Sequence, residues 1–377
     1  MIAMLRAMTF FAPSSKHVRR TIAVVGVAIA ALGSTACSSN SDTGTGDSTS
    51  TSAGPHADVK RAFDLQAHRG GRGLTAEESL PGFAKSIELG VSTLELDIVL
   101  TADKVPLVWH DPKILPEKCA DTAPAFPDDP QYPYVGKVVH DLTFDQVHTL
   151  DCGKKLTDFP DAQPLPGNKI AGLPQVFDLV KRYPGAFGTL RYNIETKIEA
   201  EHPEQSAAPA EFVDVILGAI SDAGATDKVE IQSFDWSSLP LVRAANPGIP
   251  TVALYDDTTF TPGSKWLGPV RYEDHPDDPL AAIKALGANI SSPSFLTPSD
   301  SKSQPGDPGF RLTATDAYVT RAHALGIKVI PWTVNDQQAI AQVLDQGVDG
   351  IITDYPDRAR AVMQEKGYPL PPAFHEN

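Results

Sequence analysis

Positive charge is scarce in this 377-residue chain, where 32 Lys and Arg residues stand against 47 Asp and Glu residues and give a formal net charge of -15. That balance argues against a general nucleic-acid binder, because such proteins neutralise phosphates with clustered Lys and Arg. Cysteine is also scarce, with three residues, and no Cys or His cluster has the spacing of a zinc site. No internal repeat of solenoid length is visible either. An anionic substrate would have to be met by a few local positive groups.

The apolar run at 22–32 is too short to span a bilayer as a helix. It follows a basic stretch at 16–20, and this order is typical of an export signal. The run ends in "GSTAC", which is similar to the cleavage site of bacterial lipoproteins and would place a lipid on Cys37. We therefore predict a signal segment at 1–37. Ordinary secretory cleavage nearby is the alternative, because Ser34 stands where lipoprotein sites prefer an aliphatic residue.

A Ser/Thr/Gly tract follows at 38–58 and predicts a flexible linker, because such a tract cannot bury enough apolar surface to fold. The expected product is a cell-surface or membrane-anchored lipoprotein, or otherwise a secreted or periplasmic protein, with membrane contact only through the N-terminal lipid. In an oxidising compartment the remaining cysteines, Cys119 and Cys152, are expected to form a disulfide. Two free buried thiols are the alternative.

From residue 59 to residue 377, short apolar runs alternate with longer stretches of helical period. The strands are predicted at 63–68, 92–100, 189–195, 228–234, 251–255, 288–291, 328–334 and 350–354. The helices are predicted at 80–89, 173–182, 211–223, 236–245, 279–286, 314–325, 337–346 and 358–366. Eight strands that alternate with eight helices predict an α/β fold, a (β/α)8 TIM barrel. Two long irregular segments, an insertion at about 112–172 and another at 255–278, are expected to form lids or walls over the C-terminal face.

Two acidic residues share one face of the second predicted strand. Glu95 and Asp97 lie two positions apart in "STLELDIVL", and residues i and i+2 of a strand point to the same side. Two carboxylates side by side in a partly dry site need a cation or a shared proton. Glu195 in "YNIETK" would supply a third carboxylate. Three oxygen ligands without a zinc-like cluster predict one divalent cation, Ca²⁺ or Mg²⁺.

Histidines and cations are also expected at the C-terminal ends of strands, where the loops of a barrel build the active site. Arg69 and Lys197 would hold a phosphate there, one bidentately and one as a point charge. His68 and His110 are the candidates for acid and base near neutral pH. Together with the cation, these residues predict metal-assisted cleavage of a phosphodiester. Taken alone, Lys197 could be a solvated charge and the "HD" at 110–111 ordinary turn material.

The segments "AHRGGRGLTAEESLPGF", "LELDIVLTADKVPLVWHD", "NIETK", "WTVN" and "GVDGIITDYPD" resemble the glycerophosphodiester phosphodiesterases. The resemblance implies a TIM barrel that hydrolyses small glycerophosphodiesters, such as glycerophosphocholine, to sn-glycerol 3-phosphate and an alcohol. Carried over position by position, the family's catalytic pair falls on His68 and His110. Its metal ligands fall on Glu95, Asp97 and Glu195.

The same resemblance assigns further residues. Arg69 matches the arginine that contacts phosphate, and Lys197 matches the lysine after the third metal ligand. The family usually has "PENT" where this chain has "AEES", so Glu77 falls on a supporting glutamate and the neighbouring Pro and Asn are replaced. Trp332 is expected to pack at the cleft and form part of its wall. The long insertion lies where family members vary, which leaves the preference for the substrate headgroup open.

The family mechanism implies that one histidine deprotonates the neighbouring glycerol hydroxyl, which attacks phosphorus and forms a cyclic phosphate, while the other protonates the leaving alkoxide. Water then opens the ring with the roles reversed, and the sequence does not say which histidine begins as base. One alternative is a phospholipase D-type enzyme acting on sphingomyelin or lysophospholipids. Another is a surface binding lipoprotein that keeps the barrel without turnover.

Overall fold

The computed structural model describes residues 62–376. The predicted signal segment at 1–37, its Cys37 and the predicted linker at 38–58 all lie outside the described residues. Within 62–376, every helix is too short or too polar to cross a membrane.

Eight parallel strands form a barrel, as the alternating pattern predicts. With β3, which lies outside the barrel, the strands of the described residues in chain order are β1 (Asp64–Ala67), β2 (Thr93–Leu100), β3 (Pro106–Val108), β4 (Arg191–Thr196), β5 (Val229–Ser233), β6 (Thr251–Tyr255), β7 (Ile290–Pro293), β8 (Lys328–Val329) and β9 (Gly350–Thr353). Their spatial order is β8-β7-β6-β5-β4-β2-β1-β9. Backbone hydrogen bonds from Asp349 N to Val329 O (2.9 Å) and from Val334 N to Ile352 O (3.0 Å) join the two ends. These bonds close the sheet.

Two strand predictions need correction. The short strand β3 was not predicted, and it pairs antiparallel with β2 outside the barrel path. Three residues are too few to show an alternating pattern, so the sequence carried little signal for it. The seventh predicted strand, 328–334, is regular only over β8. Pro331 interrupts the ladder because proline has no backbone N–H to donate.

Each predicted helix is present, with bounds that agree to within a few residues. The helices are α1 (Leu80–Leu89), α2 (Phe144–His148), α3 (Leu173–Lys181), α4 (Ala186–Thr189), α5 (Pro209–Ala223), α6 (Ser238–Ala245), α7 (Pro279–Leu286), α8 (Asp316–Ala324), α9 (Gln337–Asp345) and α10 (Pro356–Glu365). The short helices α2 and α4 are additional to the prediction. In α1 the Ser79 hydroxyl caps the first turn by accepting from Gly82 N, and Phe83 and Ile87 bury one face.

Alternation along each strand sends one set of side chains outward to the helices and the other into the barrel. The outward set is apolar and includes Leu65, Leu94 and Ile194. The inward set differs around the barrel. On and directly after β6 to β9 it includes a small apolar cluster of Val252, Ile290, Ile330 and Ile352. On β1, β2, β4 and β5 it is polar and includes Gln66, Glu95, Asn193 and Gln232, all buried. One half of the barrel interior is therefore lined by buried polar side chains.

The insertion at 112–172 has its own core beside the barrel. Its buried apolar side chains, which cluster with Trp109 at the end of β3, include Ile114, Tyr134 and Val147. A disulfide joins Cys119 to Cys152, as predicted from export to an oxidising compartment. A backbone bridge between Ala120 and Asp151 lies next to this disulfide. The insertion is thus an ordered part of the fold.

Candidate active site

The first candidate histidine lies directly after β1. His68 Nδ1 is 2.6 Å from Oδ1 of Asp354, which follows β9. The same carboxylate accepts from Arg72 Nε at 2.7 Å and from Asn335 Nδ2 at 2.6 Å. His68 also lines a cleft of about 230 Å³ at the C-terminal end of the barrel. Because the Nδ1 side of the ring is held by Asp354, Nε2 is the nitrogen left for a ligand.

The second candidate histidine lies after β3 and lines the same cleft. His110 Nδ1 is 3.1 Å from Oδ1 of the next residue, Asp111. Each histidine therefore has an aspartate at Nδ1. This arrangement holds the ring orientation and favours one tautomer of the neutral imidazole.

The three predicted carboxylates converge. Glu95, Asp97 and Glu195 each offer one oxygen, and these oxygens all lie within 4.8 Å of one another. Strand pairing explains the convergence, because β2 and β4 run parallel with Asp97 opposite Glu195. Side chains opposite each other on adjacent strands point to the same face. All three side chains are buried.

Hydrogen bonds distinguish the members of this cluster. Glu95 is held at both oxygens, since Oε2 accepts from Arg69 N at 2.8 Å and Oε1 accepts from Gln232 Nε2 at 2.6 Å. Asp97 differs, because neither of its buried carboxylate oxygens accepts a hydrogen bond from any described residue. Arg69 Nε lies 3.2 Å from Asp97 Oδ2 and Lys197 Nζ lies 3.9 Å from Asp97 Oδ1, so the charge of Asp97 is partly balanced by ion pairs. Three converging carboxylates, with two Asp97 oxygens that accept no hydrogen bond, fit a hard divalent cation.

A column of amide side chains supports Glu95 from inside the barrel. Gln232 Oε1 accepts from Asn193 Nδ2 at 2.9 Å, and the same Asn193 nitrogen donates to Gln66 Oε1 at 2.8 Å. Gln66 Nε2 then donates to Glu230 Oε1 at 2.9 Å, toward the N-terminal ends of the barrel strands. Glu95 is therefore the end of this continuous hydrogen-bonded chain that lies nearest the cleft.

The two predicted phosphate-binding cations lie against the acidic cluster. Arg69 Nε is 3.2 Å from Asp97 Oδ2, and Arg69 NH1 is 3.2 Å from Glu77 Oε2. Lys197 Nζ is 2.8 Å from Glu195 Oε1. Arg69 has a φ of 51°, a left-handed conformation that is uncommon for a residue with a side chain. Its backbone N–H thereby meets Glu95 while its guanidinium reaches Asp97.

Comparison with known proteins agrees with this geometry. The family described as "Glycerophosphoryl diester phosphodiesterase family" matches residues 68–358. The chain belongs to that family. It is accordingly an enzyme of the hydrolase class. This contradicts the alternative of a surface binding lipoprotein that has no catalytic turnover.

Individual relatives are similar over most of their length. A Bacillus subtilis (strain 168) protein named glycerophosphodiester phosphodiesterase is 28% identical over 309 residues, 80% of this chain and 86% of its own. A crystal structure from Silicibacter pomeroyi DSS-3, provisionally described as a glycerophosphoryl diester phosphodiesterase, has a TM-score of 0.66 and 27% identity, covering 81% of this chain and 95% of that chain. An Oleispira antarctica phosphodiesterase in complex with sn-glycerol-3-phosphate shares the fold at a TM-score of 0.56 and 16% identity, covering 80% and 96%.

The segment "AEES", which stands where the family usually has "PENT", places two carboxylates at the site, although the sequence indicated only one. Glu77 pairs with Arg69 and with Arg72, whose NH1 is 3.3 Å from Glu77 Oε2. The next residue, Glu78, has a φ of 55° and is buried, and its Oε1 accepts from Asp97 N at 3.2 Å. A fourth carboxylate thus lies beside the acidic cluster. Sequence reasoning missed it, although an acid at the family's asparagine position was the available signal.

Burial and charge shift the pKa values of the site residues. Burial lowers the pKa of His68 to about 4 and that of His110 to about 3, with Arg69 and Lys197 adding to the effect at His110. Burial raises the pKa of Glu195 to about 8, and burial with the charge of Asp97 raises that of Glu95 well above its ordinary value. Both histidines are therefore neutral near pH 7, and the carboxyl cluster favours an added positive charge.

The remaining wall of the cleft is apolar. It is formed by Phe234, Leu254, Trp332 and Ile352. The Trp332 and Phe234 rings pack edge to face with centroids 5.3 Å apart, and Trp332 Nε1 donates to Ser292 O at 2.9 Å. Trp266, from the irregular segment 255–278, also packs edge to face with Phe234, with centroids 6.5 Å apart. Trp332 thus lies at the cleft wall, opposite the charged residues.

Sequence reasoning missed several partners of the predicted residues. Asp354 ends the last predicted strand, so the expectation of functional side chains at strand ends could have found it. Gln232 lies near the end of the fourth predicted strand, 228–234, but nothing local indicates its bond to Glu95. Lys118, in the insertion, reaches Glu77 and Asp111. No local pattern marked Lys118.

Proposed function

We propose that this enzyme hydrolyses glycerophosphodiesters, such as glycerophosphocholine, to sn-glycerol 3-phosphate and an alcohol, with a divalent cation at the acidic cluster. One observation carries the proposal. His68 and His110 line the same cleft as Glu95 and Glu195 of the acidic cluster, and each histidine has its Nδ1 against an aspartate. Two oriented, neutral imidazoles beside a cation-binding cluster are the parts that acid and base catalysis on a phosphodiester requires.

Glu95, Asp97 and Glu195 would hold the cation, either Ca²⁺ or Mg²⁺, which offsets negative charge that develops around phosphorus. Arg69 and Lys197 then hold the phosphate from the protein side. Their positions favour this, since both cations already contact the acidic cluster. Guanidinium and ammonium groups fixed in a cleft stabilise a phosphoryl group without reorganising during the reaction.

In the first step one histidine accepts the proton of the glycerol hydroxyl next to the phosphate ester, and that oxygen attacks phosphorus. The other histidine donates a proton to the departing alkoxide, and a cyclic phosphate is formed. In the second step water attacks the ring and the histidines exchange roles. A bound phosphate monoanion would raise the low pKa values of His68 and His110, which allows the acid partner to carry its proton near neutral pH.

The product is supported by the shared fold. The Oleispira antarctica phosphodiesterase is described in complex with sn-glycerol-3-phosphate. We infer that the cleft of this chain accepts the same glycerol phosphate unit, with the apolar wall of Trp332 and Phe234 facing the rest of the ligand.

The positions of the exposed apolar side chains favour a small diester over an intact lipid such as sphingomyelin or a lysophospholipid as the substrate. In the described part of the chain, the large apolar side chains that are exposed are Phe126, Tyr132, Leu241 and Leu370. None of these lines the cleft. A lipid-binding entrance would be expected to present an apolar rim.

The test is an assay of the exported enzyme from residue 57 onward after EDTA treatment. Glycerophosphocholine is the substrate, glycerol 3-phosphate release is the readout, and Ca²⁺ or Mg²⁺ is restored in separate arms. His68→Ala is expected to abolish release, whereas His375→Ala, an exposed histidine in the C-terminal tail, leaves it unchanged. Cleavage of sphingomyelin or lysophosphatidylcholine without cleavage of glycerophosphocholine would overturn the proposal in favour of the phospholipase alternative.

Export and anchoring are a separate part of the proposal. We infer that residues 1–37 direct export and that Cys37 receives a lipid, on the strength of the charge and hydropathy pattern alone. Metabolic labelling with a radioactive fatty acid in a bacterial host tests this. Label on the wild-type chain and none on Cys37→Ser is the expected result, and an unlabelled wild-type chain would support ordinary secretory cleavage.

A further inference from the structure

The insertion places one buried lysine beside the active site. Lys118 is largely buried, and its Nζ contacts Glu77 Oε1 and Asp111 Oδ2. Its ammonium group also lies 5.1 Å from the centre of the Trp109 ring. A buried lysine that meets two carboxylates at once is held by charge and by packing. Both carboxylates belong to the machinery described above.

Each of these carboxylates contacts a residue of the proposed reaction. Asp111 uses its other oxygen, Oδ1, for His110 Nδ1 at 3.1 Å. Glu77 uses its other oxygen, Oε2, for Arg69 NH1 at 3.2 Å. Lys118 thus occupies the free oxygen of each carboxylate. It limits rotation of Asp111 about its side chain and so fixes the ring that Asp111 orients.

A series of ion pairs continues from Glu77 to the other histidine, His68. Arg72 NH1 is 3.3 Å from Glu77 Oε2, and Arg72 Nε is 2.7 Å from Asp354 Oδ1. Asp354 in turn holds His68. Lys118, Glu77 and Arg72 together therefore connect the partner carboxylates of the two candidate catalytic histidines, Asp111 and Asp354.

The disulfide begins at the residue next to Lys118. Lys118 N and Cys119 N both donate to Leu115 O, at 3.1 and 2.9 Å, which makes a tight turn. Cys119 is bonded to Cys152, and Lys154 Nζ donates to Cys119 O at 2.7 Å. The residue next to Lys118 is thus tied covalently to a distant part of the insertion. Without that tie, the turn would depend on hydrogen bonds alone.

We propose that Lys118 is a positioning residue that orients His110 through Asp111, and that the Cys119–Cys152 disulfide is required for it to do so. The inference rests on the proposed function for its kinetic test, and on the geometry alone for its spectroscopic test. It gives the insertion a role in the reaction itself. Activity then depends on formation of one particular disulfide.

The kinetic test compares Lys118→Met, Lys118→Arg and the double variant Cys119→Ser/Cys152→Ser with wild type on glycerophosphocholine. Lys118→Met is expected to lower kcat about 10- to 100-fold, since misplaced acid or base catalysis costs factors of this size. Lys118→Arg should restore much of that loss. Lys155→Met, an exposed lysine in the same insertion, is the matched control and should leave kcat unchanged.

Combining the variants tests the role of the disulfide. If the disulfide acts through Lys118, the triple variant has a kcat no lower than that of Lys118→Met. If the losses of kcat in Lys118→Met and in the disulfide variant multiply in the triple variant, the disulfide does not act through Lys118 and that part of the inference is overturned. Thermal melts of every variant separate misplacement from unfolding, because Lys118→Arg and the control are expected to melt with the wild type.

A spectroscopic test does not need the substrate. Long-range ¹H–¹⁵N spectra report which ring nitrogen of His110 carries the proton, with His110→Gln used to assign the signal. Lys118→Met and the disulfide variant are expected to shift the His110 ring nitrogens, and Lys155→Met is not. Unchanged His110 signals in folded Lys118→Met would overturn the inference even if the wild type hydrolyses glycerophosphocholine. A shift in a chain that cleaves no glycerophosphodiester would support the positioning and overturn only the proposed substrate.

Discussion

His68 Nδ1 lies 2.6 Å from Asp354 Oδ1, although 286 positions separate the two residues in the chain. His68 follows the first barrel strand and Asp354 follows the last. These strands pair in parallel with Ala67 opposite Thr353, and this pairing brings the two side chains together. The contact therefore depends on pairing between the first and last strands of the chain, and it links that pairing to the orientation of a candidate catalytic group.

Asp354→Asn is expected to lower kcat by about 100-fold or more, in the range that a lost acid or base contributes, with little change in KM. An amide can turn its NH₂ toward His68 and favour the wrong tautomer of the ring. Steady-state kinetics on glycerophosphocholine measure the effect. Asp345→Asn, at an exposed ion pair with Lys366, is the matched control. A kcat within about twofold of wild type would mean that Asp354 has no part in orienting His68.

Asp97→Asn is expected to abolish cation binding, because it removes the central charge of the three carboxylates, whose two oxygens accept no hydrogen bond from the described residues. A cation at 100 times its dissociation constant stabilises a folded protein by about 2.7 kcal/mol. Wild type should therefore melt at a higher temperature when Ca²⁺ or Mg²⁺ is added after EDTA treatment, and Asp97→Asn should not. The measurement is a thermal melt with and without each cation. An equal rise in both proteins would place the cation elsewhere.

Gln232→Met tests the amide column below Glu95. The substitution keeps the length of the side chain but removes the 2.6 Å bond to Glu95 Oε1. Partners of metal ligands typically contribute about 10- to 100-fold in metal affinity, so a weakening of that size is expected. Isothermal titration calorimetry with the preferred cation gives the affinity directly. Gln338→Met, exposed on α9, provides the comparison, and equal affinities in the two variants would contradict a role for the column.

Glu77→Gln tests the pH dependence of stability. Burial alone would raise the pKa of Glu77, but Arg69, Lys118 and Arg72 outweigh it and lower the pKa to about 2. A carboxyl with a lowered pKa stabilises the fold above its unfolded pKa near 4.3, and that stability is lost as the pH falls toward 2.

The wild type is therefore expected to exceed Glu77→Gln in free energy of unfolding by about 3 kcal/mol at pH 7, and by roughly half of that at pH 3. Urea denaturation at the two pH values measures both differences. Glu365→Gln, exposed at the end of α10, should show no such trend. A difference that stays constant with pH would show that the charge of Glu77 is not what stabilises the fold.

Several features followed from local pattern alone. The bounds predicted for α1 and α7 match the structure, because proline near the start and glycine after the end mark both helices. The i and i+2 spacing of Glu95 and Asp97 was sufficient to place both carboxylates on one face. The strand β3 was not predictable in this way, since its pairing with β2 depends on a tight turn at Lys104, where φ is 63°.

The sequence by itself determined the barrel, the family and the residues that converge on the cleft, because strand alternation and strand ends are local properties. Only the tertiary structure decided the partners of those residues. Glu195 lies opposite Asp97 through strand register, Asp354 reaches His68 through pairing of the first and last strands, and Lys118 reaches Asp111 through the path of a disulfide-bonded insertion. Contacts between distant residues depend on register and loop path, which periodicity does not encode.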